Sequence, residues 1–430
     1  MFKDRYGLEV STSSVEAFDA YADAADRMLA ADGRVAERLG DAIEADPNFA
    51  LAHAALARDH HVNGRGKMAR IVIETAAQLA EQTTAREQQH VAIVKLLITG
   101  QVPAGLALTR EHLQDYPRDA LALAPSTGVF GTIGFSGRVG REAEQLELLE
   151  PLATHYGDDW WFATAYAFAL LETGHWDRGR KLAEQALEQR PNNPHGAHTL
   201  AHALYEAGDD DAATTFLTDW LPDFDRDSLL HCHIWWHYAI LLMARGSNDA
   251  AWKAFEENCL PGHSDSPSIN VFTDSASFLW RSELAGNERD SNAWETVRDY
   301  YEAQFGRPIV FVDAHVGMVY AALGETEQLT ASIVQLQELG EAGKLPAETT
   351  GALLARAYQA FEAEQWSNTI ELLEPLMDQV VRIGGSRAQR DMVTNTLLAA
   401  YVNNDRLEDA TAFLASVHDR QPTHPVAGLS

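Results

Sequence analysis

Two short segments hold the side chains best suited to chemistry. HTLAHALYE carries His198 and His202 four residues apart, and HCHIWWHYA carries His233 and His237 at the same spacing. On a helix, residues four apart share one face. Imidazole titrates near neutral pH and binds divalent metals, so each pair suits acid–base chemistry or coordination. His198, His202, His233 and His237 together form a candidate site for zinc or another divalent cation. Glu206, four residues beyond His202, is expected as a carboxylate ligand or base, and His202, His237 and His315 are the candidate acid–base groups. His231, two residues from His233, points to nearly the opposite side. The same rings also suit peptide or carboxylate binding, or packing with Trp235, Trp236 and Tyr238, and no HExxH, cysteine or clustered-aspartate signature decides among these.

Other segments supply candidates for holding a ligand. REQQH places Arg86 and His90 four apart, VDAHVG carries Asp313 beside His315, and IGGSRAQRD presents Arg387, Arg390 and Asp391 after a Gly-Gly turn. Ser386 can cap the helix that opens at Arg387, leaving a helix start and two guanidinium groups to receive a carboxylate or other anion. With Trp236, these residues make up the expected ligand-binding set. Phosphate loops and serine-hydrolase elbows are absent, because GTIGFSG (131–137) lacks the strand–turn–helix setting that they need.

Helices must position these groups. A turn glycine recurs at Gly100, Gly137, Gly174, Gly208, Gly246, Gly286 and Gly324, at intervals of 37, 37, 34, 38, 40 and 38 residues. That is the period of stacked helix pairs. WFATAYAFALLETGHWDRGRKLAEQALEQRP is the clearest unit, with Gly174 in the turn, small residues at Gly179, Ala183 and Ala186, and a closing Pro191. It resembles the tetratricopeptide repeat. Glycine-less pairs at 13–46, 48–82, 346–380 and 386–418 complete about eleven pairs. The expected fold is therefore an all-α, right-handed solenoid spanning 13–418 in a single domain, with PGHSDSPSIN (261–270) and LGEAGKLPAE (339–348) as longer loops.

In tetratricopeptide arrays the first helix of each pair lines a concave groove. His198 and His202 lie ten and six residues before Gly208, His90 lies ten before Gly100, and His237 and His315 lie nine before Gly246 and Gly324. Histidines are thus expected at one depth along the inner face. The order REQQH, HTLAHALYEAG, HCHIWWHYAI, DAH, GGSRAQRD, after STSSVEAFDAY, resembles the tetratricopeptide repeat protein 38 family over nearly the whole chain. That resemblance implies the solenoid fold and no particular reaction.

Composition narrows the partners. Lys and Arg number 33 against 63 Asp and Glu, a net charge of −30, from which neither nucleic acid nor an anionic membrane is expected as a partner. The N-terminus lacks a basic-then-apolar leader, which gives cytoplasmic location as the expectation. Cys232 and Cys259 are too few for a disulfide framework. Two functions remain open. One is a His- and Arg-rich hollow that binds a small polar, anionic molecule and hydrolyses it, with a divalent metal as the candidate cofactor. The other is a non-catalytic scaffold gripping a peptide or partner protein in the same groove.

Overall fold

The computed structural model describes residues 2–417 and 423–429. Position 418, the expected end of the array, lies outside them. Among the described residues eleven helical pairs follow one another, from Val15–Ala30 with Val35–Ala45 to Arg387–Asn403 with Leu407–Val417. The result is an α-solenoid. A two-residue antiparallel ribbon, Phe2–Lys3 with Glu9–Val10, precedes the array and leaves its phasing intact. Among the described residues no helix is long and apolar enough to cross a membrane.

Local chemistry explains the turns. At Gly174 (φ +83°) the amide donates to Leu171 O at 3.1 Å while that of His175 reaches Leu170 O at 2.8 Å, the paired bonds of a left-handed helix stop. Where glycine is missing, Ala31, Glu364 and Asp405 adopt φ of 61°, 56° and 57° themselves, each at a cost of about 1–2 kcal/mol. Within the pair, Gly179 allows close approach, since a Cβ there would sit 2.7 Å from Leu171 Cδ2. Thr84 with Glu87, and Ser386 with Gln389, form reciprocal capping boxes, so the expected Ser386 cap is present.

One unit departs from the repeat. The glycine at 137 does not join two helices. Its first helix shrinks to Ala120–Leu123 plus a short 3-10 turn at Ala124–Ser126, and a Gly-rich loop runs on to the helix Arg141–Leu149. Pro125 and the glycines at 128, 131 and 134 cannot sustain a helix there. That missing helix leaves space in the hollow.

The array also closes on itself. Ser228 Oγ donates to Ala31 O at 2.7 Å, and Leu229 N to the same oxygen at 3.2 Å. Arg141 Nε donates to Val381 O at 2.9 Å, Arg390 pairs with Glu142 at 2.6 Å, and Tyr205 OH donates to Asp391 Oδ2 at 2.7 Å. Trp280 Nε1 reaches Thr396 Oγ1 at 2.9 Å. The helix Arg387–Asn403 therefore packs on the inner helices Pro194–Glu206 and Ser268–Leu284. The inner face there is a protein interior.

Candidate metal centre

The helices Pro194–Glu206 and His231–Ala244 are neighbouring inner helices, as the one-repeat separation of the pairs requires. His198, His202, His233 and His237 are all buried, at 1–6% exposure, and offer ligand atoms within 4.8 Å of one another. His202 Nε2 lies 3.0 Å from His198 Nε2, so two ring nitrogens meet directly. His233 Nδ1 lies 2.9 Å from Asp274 Oδ2, while Trp236 stacks on the same ring at 5.3 Å and 9°. Phe168 stacks on His198 and meets His202 edge-on. The rings are held by packing on one side and by a carboxylate on the other.

Among the described residues, several polar atoms of the cluster have no hydrogen-bond partner: Nδ1 of His198, Nδ1 of His202 and both nitrogens of His237. Each such buried group costs roughly 1–3 kcal/mol. Burial, reinforced by the other imidazoles, holds His198 and His237 well below the usual histidine range and brings His202 down to about 3. Neutral imidazoles with free lone pairs are what a cation needs. A tetrahedral ion with bonds of about 2.0–2.1 Å sets its nitrogens about 3.4 Å apart, so closure asks for ring movements of roughly 1 Å. The donor set, all nitrogen without thiolate, suits zinc, cobalt, nickel or copper. Asp274 on His233, with Asp391 acting on His202, supplies counter-charge, and Arg281 beside His237 opposes it.

The remaining candidates fall elsewhere. Glu206 is buried but pairs with Arg387 at 3.3 Å instead of joining the imidazoles. Arg387 N also donates to Glu172 Oε2 at 3.1 Å, and Arg390 is held by Glu142 and by Gly385 O. The anion site expected of these two arginines is therefore already filled by the protein's own carboxylates. Asp391 accepts from Tyr205. Burial, with Glu142 adding to it and Arg390 opposing, pushes Glu172 up to about 8.

Arg86 and His90 belong to a separate buried cluster. Arg86 Nη1 donates to Asp119 Oδ2 at 2.7 Å, and its Nη2 to Glu9 O at 2.7 Å. His90 Nδ1 lies 3.0 Å from Asp119 Oδ1, and His112 bridges Asp119 and Gln89. Burial alone would raise Asp119, yet His90, His112 and Arg86 hold it well below the usual carboxylate range. His315 bonds Phe311 O at 2.7 Å and is brought down to about 4 by burial. Asp313 is pushed up to about 7 by burial, with Oδ2 unpartnered. Neither belongs to the four-histidine cluster. His231 packs on Phe224, away from the cluster as its spacing implied. Cys232 and Cys259 are buried and free.

Asp274 was missed in the sequence, although it stands twelve residues before Gly286 as His233 stands thirteen before Gly246. The adjoining space was also missed. A cavity of about 980 Å³ fills the place of the shortened helix, lined by Phe130, Phe135, Phe168, Leu106 and Leu229, with Arg58 and His198 in its wall. His198 alone of the four histidines lines it.

Fold and site together define a helical-repeat solenoid with a buried imidazole cluster beside a cavity. Within the chain, residues 170–231 match the family model described as tetratricopeptide repeat. Among solved structures, the human IFIT1 dimer with m7Gppp-AAAA is 14% identical, with a TM-score of 0.37 and 97% of each chain covered. The human IFIT1 dimer with PPP-AAAA is 11% identical, with a TM-score of 0.42 and again 97% of each chain. These oligonucleotide complexes overturn the expectation that nucleic acid is excluded as a partner. Net charge describes a whole surface, whereas binding in a hollow depends on the few charges that line it.

Proposed function

We propose that this solenoid binds a divalent metal ion on His198, His202, His233 and His237 and presents it to a ligand in the adjoining cavity. The observation that supports this reading is the convergence of four buried imidazoles, three of which carry nitrogens with no partner among the described residues. His233 is oriented by Asp274, the carboxylate–histidine arrangement usual behind metal ligands. His198, in the cavity wall, is the member nearest a bound ligand. An ion of this kind supplies Lewis acidity to a carbonyl or phosphoryl oxygen, and hydrolysis is the reaction class such a site suits. The further resemblance to the tetratricopeptide repeat protein 38 family adds no reaction to this reading.

The test is metal analysis of protein purified without a histidine tag, followed by reconstitution with zinc or cobalt. About one ion per chain, with cobalt giving the absorption of a tetrahedral nitrogen site, is the expected result. His198→Ala should retain a weakened site, while His202→Ala and His237→Ala should abolish it. Protein that takes up no ion under reconstitution overturns the proposal and leaves a ligand- or partner-binding solenoid whose imidazoles only pack.

A further inference from the structure

The cavity beside the histidines has its own chemistry. Its walls are mostly aliphatic and aromatic, including Val94, Leu97, Ile98, Phe130, Phe168 and Ile269. Its volume of about 980 Å³ is at the upper end of the roughly 300–1,000 Å³ that encloses a drug-sized molecule. A space of this size and polarity is poorly matched to the small polar molecule that the sequence suggested.

The charged groups in the wall carry one sign in excess. They are Arg58, Arg110, Arg138 and Glu144. Arg110 and Arg138 both pair with Glu144 and are about half exposed, at the rim. Arg58 differs from both. Among the described residues it has no carboxylate at ion-pair distance, and its one hydrogen bond is a long 3.5 Å contact from Nη1 to Leu121 O. Asp59, its sequence neighbour, is held by Arg65 at 2.7 Å. An under-bonded guanidinium in an apolar wall is costly unless something completes it. In a chain of net charge −30, this is a local excess of positive charge where an apolar body would be buried.

We infer that the cavity binds a long-chain carboxylate, with its hydrocarbon body along the apolar walls and its carboxylate on Arg58. A guanidinium takes a carboxylate through two parallel hydrogen bonds, which gives the head group a fixed place. The apolar walls give the body its affinity, about fourfold for each methylene buried. The inference rests on the proposal that this cavity is the ligand site, but not on the presence of a metal.

Isothermal titration of the full chain tests it, in metal-free and metal-loaded protein, with octanoate, decanoate and dodecanoate. Dodecan-1-ol and dodecyltrimethylammonium vary the head, and acetate removes the body. The expected result is saturable binding that tightens with chain length, with dodecanoate at least tenfold tighter than the alcohol or the cation and acetate silent. Arg58→Gln should remove the advantage of dodecanoate over dodecan-1-ol. Ala107→Trp, which fills the cavity from an exposed position in its wall, should weaken both. Equal binding of the three heads to unmodified protein overturns the inference without any variant, as does Arg58→Gln retaining the carboxylate preference. Because binding is also read in metal-free protein, failure here is distinguishable from failure of the metal proposal.

Discussion

Two buried histidine clusters, in different units of the array, behave in opposite ways. Around Asp119, the polar groups of Arg86, His90 and His112 find partners in the Asp119 carboxylate, in Gln89 and in the backbone of Glu9. Around His202, the described residues leave Nδ1 of His198, Nδ1 of His202 and both nitrogens of His237 without a hydrogen-bond partner, while His198 and His202 meet through Nε2 and His233 is held by Asp274. Both clusters are equally buried. Burial of a histidine therefore says little about its role, whereas the state of its hydrogen bonds separates the two clusters.

The largest expected effect is on the unsatisfied cluster. His202→Ala or His237→Ala should lower zinc affinity by more than about a thousandfold, since each removes a direct ligand, as measured by competition with a chromophoric chelator. If both variants bind zinc as the parent does, the contrast between the clusters has no functional content. Next comes Asp119→Ala, which leaves Arg86 buried without its counter-ion and should destabilise the fold by about 3–5 kcal/mol in urea while leaving metal content unchanged.

A smaller change is expected from Asp274→Asn. It keeps the shape beside His233 but removes the charge, and metal affinity should fall about 10- to 100-fold with little loss of stability. A loss of stability without a change in affinity would move Asp274 into the structural class with Asp119.

The smallest effect concerns the carboxylates that clasp the closing helix. Glu172 has its pKa raised from 4.5 to about 8 in the folded chain. A carboxyl raised on folding stays protonated where the unfolded chain has ionised, so its contribution to stability falls as pH rises from about 4.5 to 8. Glu172→Gln should flatten that part of the profile, with a melting temperature about 2–4 °C above the parent at pH 8 and no gain at pH 4.5. Parallel melting profiles for the two proteins would show that Glu172 does not titrate in this range.

The residues that were legible in the sequence are those fixed by local geometry. Turn glycines and i, i+4 spacing reported the helix pairs and brought His198, His202, His233 and His237 onto adjacent helices. Features that depend on closure were not legible. Arg387 and Arg390 looked like free positive charge because their partners, Glu142, Glu172 and Glu206, come from helices roughly 180 to 250 residues away. The cavity arises from an irregularity, the shortened helix at Ala120–Leu123, and a periodic pattern points away from irregular units. Arg58 was overlooked because an arginine's meaning depends on the absence of a counter-ion, which no spacing rule reports.

The contacts of Arg141 with Val381 and of Ser228 with Ala31 also bear on how the protein unfolds. A solenoid whose repeats touch only their neighbours can fray from its ends, and tolerates gain or loss of a unit. Here the last inner helix is bonded to repeats from the first half of the chain, so it cannot leave without exposing their buried polar groups. Unfolding should be concerted over the whole array, and folding should wait for contacts of long sequence separation. The number of repeats between the bonded units then ceases to be adjustable, because the contacts of Ala31 with Ser228 and of Arg141 with Val381 each fix one separation along the array.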